Sequence, residues 1–136
     1  MQDPLQKNPA PEAIRTILLE NGPRLDILDA SCPLVGDRWQ VAAVFRLTIP
    51  VSEAVLAGGS VHLNLADVRR RIGEALTFEK RLERNFIAVD EKDALLTDMV
   101  RRYLDGVLGY IANPAFARNY VLQRYDEALN KARLRP

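Results

Sequence analysis

Apolar residues recur at every second position on both arms of a hairpin centred on Gly36-Asp37. That alternation is the signature of half-buried strands. Gly36 ahead of Asp37 suits a two-residue type II′ turn, whose first position needs positive φ. With that turn Leu34 opposes Trp39, Cys32 opposes Val41, Ala30 opposes Ala43 and Leu28 opposes Phe45. All are apolar and share one face. The other face mixes Asp29, Ser31, Gln40, Arg46 and Thr48 with Ile27, Ala42 and Val44. Pro50 ends the second arm. From Ser60 to Leu65 the alternation returns, with Val61, Leu63 and Leu65 set against Ser60, His62 and Asn64. It predicts a short third strand, and Phe86 to Val89 predicts a fourth.

Elsewhere the spacing is helical. Pro11 suits a first helical position, Gly22 a C-terminal cap and Pro23 a stop, so 11–22 is expected as a helix burying Ile14, Ile17 and Leu18. Val51 to Ala57 reads as a helical turn or crossover, stopped by Gly58-Gly59. Asn64 followed by Asp67 resembles a capping box and opens a single predicted helix over 64–85. Asp90 with Asp93 opens another, ending near Ala112, with Asp98–Arg102 and Arg101–Asp105 spaced as ion pairs. Asn113-Pro114 caps and starts a last helix to about Arg133. The expected fold is therefore α+β: an antiparallel hairpin or meander of two to four strands packed with helices. Its element order is α-β-β-(β)-α-α-α, with a helical C-terminal half. Residues 1–10, polar and carrying Pro4 and Pro9, are expected as a mobile tail, and 11–136 as one domain.

Charge adds a surface to this picture. On a 64–85 helix, Arg69, Arg70, Lys80, Arg81 and Arg84 fall within an arc of roughly 120°, free of acids. The chain's formal net charge is only +1, so the stripe reflects segregation and favours an anionic partner. The helix–strand–strand–strand–helix order of 11–85 resembles double-stranded RNA-binding domains, in order alone. That resemblance would set Arg69, Arg70 and Arg71 against phosphates.

Catalytic and metal signatures are lacking. The chain has one Cys and one His, too few for a structural zinc site of four Cys/His ligands. Cys32 is expected in the core and His62 on the polar side of its strand. Neither a nucleophile elbow nor a phosphate loop, dinucleotide-binding glycine pattern or zinc-protease motif occurs. Glu79 stands out on the helical wheel, between Ile72, Ala75, Leu82 and Phe86. A carboxylate there must be paired, protonated or unburied. No cofactor is implied. The longest apolar run, Val41 to Phe45, falls far short of a membrane span. The N-terminal residues lack the apolar stretch of a signal peptide, so a cytoplasmic setting is expected.

In the last helix, Ala117, Val121, Tyr125, Ala128, Leu129 and Ala132 make the core stripe. Phe116 and Tyr120 project from another side with Arg124 one turn on, the residue types of an interface anchor. The leading expectation is a small cytoplasmic binding or adaptor protein without catalysis, acting on a protein partner or on itself. The alternative is a nucleic-acid or other polyanion binder using the basic stripe. Third is a small enzyme with an acid-based site at Glu79 or His62.

Overall fold

A computed structural model describes residues 13–59 and 63–134. Five antiparallel strands, β1 (Ala13–Leu18), β2 (Arg24–Asp29), β3 (Cys32–Pro33), β4 (Arg38–Pro50) and β5 (Ala75–Ala88), form one sheet. Four helices accompany them: α1 (Glu53–Leu56), α2 (Leu65–Ile72), α3 (Lys92–Ile111) and α4 (Pro114–Arg133). The α+β class and the helical C-terminal half are as the sequence implies. The long strand β4 is the spine of the sheet. Along one side it pairs with β2 and then β3, along the other with β5, and β1 adds beyond β2.

Three expected elements differ. Within the segment expected as the first helix, Ala13–Leu18 is strand β1, paired with β2. Asn21 (φ 71°) and Gly22 (φ 110°) take left-handed conformations. The Leu19 N–H donates to the Pro23 carbonyl at 2.8 Å, so this turn closes a hairpin instead of capping a helix. A left-handed Asn-Gly pair serves either end, and the partner strand decides. The expected 64–85 helix stops at Ile72, where Gly73 takes φ 92° and donates its N–H to the Arg69 carbonyl. The chain then runs straight into β5. Phe86 to Val89, expected as a separate strand, mostly completes β5. With these changes the order shared with double-stranded RNA-binding domains is lost. Of the expected third strand, Ser60, Val61 and His62 lie outside the described residues, as does the 1–10 tail; Leu65 begins α2.

The central hairpin forms one residue out of the expected register. Leu34 N–H donates to the Arg38 carbonyl at 2.8 Å, closing a loop of Val35, Gly36 and Asp37. Cys32 therefore opposes Gln40, Ile27 opposes Phe45 and Leu28 opposes Val44. One more turn residue exchanges the faces of the β2–β3 arm. Val41, Ala43 and Phe45 stay inside as expected, but Ile27 replaces Leu28 beside them, and Cys32 is exposed instead of in the core.

All four helices contribute to the core on one face of the sheet. Leu25, Ile27, Phe45, Leu47 and Ile49 bury there against Val55 of α1, Val68 of α2, Leu104 and Ile111 of α3, and Ala117 and Val121 of α4. The Tyr103 ring sits 4.0 Å, centroid to centroid, from Phe45. The opposite face carries a polar row across four strands. Thr16 Oγ1 donates to Asp26 (2.7 Å), Asp26 lies opposite Arg46, and Arg46 Nε donates to Glu79 (2.9 Å). No described helix is long and apolar enough to cross a membrane.

Candidate interaction surface

The basic stripe does not survive the change of secondary structure. Arg69 and Arg70 belong to α2, whereas Lys80, Arg81 and Arg84 belong to β5. On β5 successive side chains alternate faces. Lys80, opposite Phe45, and Arg84, opposite Val41, lie on the helix-covered face, while Arg81, opposite Val44, lies on the outer one. Several of these cations have structural partners. Arg69 Nε donates to the Val51 carbonyl at 2.8 Å, tying α2 to the end of β4. Arg70 pairs with Asp67. Arg81 pairs with Glu83 at 3.0 Å and also donates to Gln40. The five residues therefore make no single helix face.

Glu79 is accounted for by the same change. On β5 it faces outward, half-exposed, and meets Arg46 at 2.9 Å. The wheel that put it among apolar residues assumed a helix.

Around Asp67 the helices are tied together. The Tyr125 hydroxyl of α4 and the Arg70 guanidinium donate to its two carboxylate oxygens, and Arg71 Nε adds a bond of 3.1 Å. These donors, Tyr125 first, hold the Asp67 carboxyl well below the ordinary carboxylate range. The same bond pushes the Tyr125 hydroxyl up. Asp67 thus serves as a tie between α2 and α4 instead of completing a capping box. The Asn64 side chain alone caps α2, accepting from the Ala66 N–H at 3.0 Å.

The residues expected as an interface do come together, and the structure enlarges the group. Asn113 accepts from the Ala115 N–H at 3.0 Å and Pro114 opens α4, so the last turn of α3 folds against the first turn of α4. Tyr110 consequently meets Phe116 at 5.0 Å, edge to face. Phe116 stacks with Tyr120 at 6.2 Å. Phe78 of β5 presents an edge to both, at 6.5 and 6.1 Å. Arg124 lies over the Tyr120 ring at 5.1 Å, donates to its hydroxyl at 3.3 Å and pairs with Glu127 at 2.9 Å. These bonds, the one to Tyr120 foremost, raise the Arg124 pKa further and keep the charge fixed.

Phe116 and Tyr120 reach inward onto the core, whereas Tyr110 is 68% exposed and Phe78 38%. Asn113, Asn119 and Gln123 join Tyr110, Phe116 and Tyr120 around a shallow cavity of about 230 Å³. Ring faces, amide dipoles and a paired cation have the composition of a recognition surface. Phe78 and Tyr110 were missed from sequence. Phe78 was placed on a helix, but Tyr110 could have been found from its position one turn before Asn113-Pro114.

A second apolar groove, about 390 Å³, runs between Ile14 of β1 and Leu96, Val100, Leu104 and Leu108 of α3. No group of three or more His, Cys, Asp or Glu among the described residues could hold a metal ion. Comparison with known proteins finds no matching family model, no matching curated protein and no matching solved structure.

Proposed function

We propose that this chain is a small non-catalytic binding or adaptor protein that works through protein–protein contacts in the cytoplasm. The observation that carries the reading is the aromatic cluster of Phe78, Tyr110, Phe116 and Tyr120, with Arg124 stacked at its rim. Aromatic side chains bring large contact area, and neighbours that are already packed lose little freedom on binding. Tyr110 supports it most, because its ring is held by Phe116 yet remains largely in water. The lone exposed thiol of Cys32 suits a reducing compartment.

The test is capture of partners from native lysate with the tagged protein, at low and moderate salt, with and without nuclease. A defined protein partner should survive both treatments and be lost with Tyr110→Ser, a substitution at an exposed position that leaves the core intact. Tyr120→Ser should weaken it as well. Retention of salt-labile, nuclease-sensitive nucleic acid in place of a protein would overturn the reading.

A further inference from the structure

Strand β5 is 14 residues long and, among the described residues, pairs only with β4. Its other edge therefore presents a row of backbone N–H and C=O groups to solvent. The opposite edge of the sheet is β1, 6 residues with an irregularity between Ala13 and Arg15. β5 is thus the longer and more regular template. We propose that the free edge of β5 accepts an extended segment of a partner protein, antiparallel, whose side chains facing the helices alternate between apolar and acidic. The proposal rests on the protein-binding reading above and specifies its chemistry.

The limits of the site follow from register. Residues 75–84 pair regularly with β4, and the pairing then slips where Asn85 and Phe86 bulge opposite Gln40. Phe86 takes φ 60° there. Such a bulge bends the strand and ends its usefulness for pairing. An added strand would run alongside Leu76 to Arg84.

Its chemistry follows from which side chains share the helix-covered face. Along that stretch they are Leu76, Phe78, Lys80, Leu82 and Arg84. Phe78 leads directly to Phe116 and Tyr120. Lys80 and Arg84 have no ion-pair partner among the described residues; Arg84 donates only to the Glu83 carbonyl. The two acids of this stretch, Glu79 and Glu83, lie on the other face, engaged by Arg46 and Arg81. An incoming strand therefore meets two uncompensated cations spaced among apolar residues. Cross-strand pairing favours carboxylates opposite Lys80 and Arg84, and apolar side chains opposite Phe78 and Leu82.

A second copy of the chain fits this edge poorly. Antiparallel self-pairing centred on Glu79, Lys80 or Arg81 sets each of those charges against its own image, and like charges directly opposite are destabilising. These are the registers that use most of the regular stretch.

The probe is a labelled, end-blocked peptide, Glu-Thr-Val-Thr-Glu-Thr-Val-Thr-Val, with Lys in place of both Glu as its control. Fluorescence anisotropy should give at least tenfold tighter binding of the acidic peptide, with the preference reversed in a Lys80→Glu, Arg84→Glu double variant. N-methylation of the peptide at its pairing amides should abolish binding, because it removes backbone donors and leaves the charges alone. Equal binding of the N-methylated peptide, or no binding of the acidic one, would overturn strand addition. If that occurs while Tyr110→Ser still abolishes partner capture, the proposed function stands without it. A free protein found dimeric, with the outward amides of β5 protected from exchange, would assign the edge to a second copy and also overturn the proposal.

Discussion

Phe86 is a bulky residue with φ 60° in an otherwise extended strand, and it is 69% exposed. A left-handed conformation costs a residue with a Cβ about 1–2 kcal/mol. Glycine escapes that cost but loses about 0.5–1 kcal/mol more chain entropy on folding. Comparing Phe86→Gly with Phe86→Ala isolates the backbone, since both remove the ring. The difference leaves Phe86→Gly more stable than Phe86→Ala by about 0.75 kcal/mol. At Thr77, exposed on the same strand and regularly paired with Thr48, the order should invert. There Thr77→Gly should be less stable than Thr77→Ala by about 0.5–1 kcal/mol. Urea unfolding of the four variants measures both signs at once. A Phe86→Ala protein as stable as Phe86→Gly would refute the bulge, and with it the boundary assigned to the edge site.

Two further outcomes are expected. The Asp67 carboxyl lies below its unfolded value, so its contribution is complete above the ordinary carboxylate range and fades as pH falls through the folded value. Asp67→Asn should therefore lower the melting temperature at neutral pH and flatten its fall below about pH 4, read by circular dichroism across pH 2–7; an unchanged profile would remove the α2–α4 tie. Phe45 is fully buried against Tyr103, and Phe45→Ala should cost about 3–5 kcal/mol of unfolding free energy in urea. A loss under about 1 kcal/mol would displace Phe45 from the core.

What could be read from the chain divides along local and non-local lines. α3 and α4 were legible because their apolar spacing is sustained and Asn113-Pro114 marks the join between them. The inner residues of β4 were legible from alternation alone. β1 was misread because Asn21-Gly22 closes hairpins and helices equally well, and only the pairing of Ile17 with Leu25 decides. β5 was misread because Glu79 to Arg84 is rich in helix-favouring residues. Its strand conformation comes from β4, whose length on that side it pairs nearly throughout, a constraint no local window contains. Gly73 after Ile72 was the local signal that could have ended the helix early. Phe116, Tyr120 and Arg124 were visible because they share one helix. Phe78 and Tyr110 reach the same surface only through the sheet and the α3–α4 turn. The basic stripe was an artefact of assigning one period to residues that use two.

The most direct measurement is amide hydrogen exchange on the protein alone and with its captured partner bound. Alone, the outward amides of β5 should exchange quickly while those of β4 are protected. With partner bound, new protection should appear along residues 76–84 and around 110–124. Protection confined to the groove between β1 and α3, with β5 unchanged, would contradict the assignment of the interaction surface.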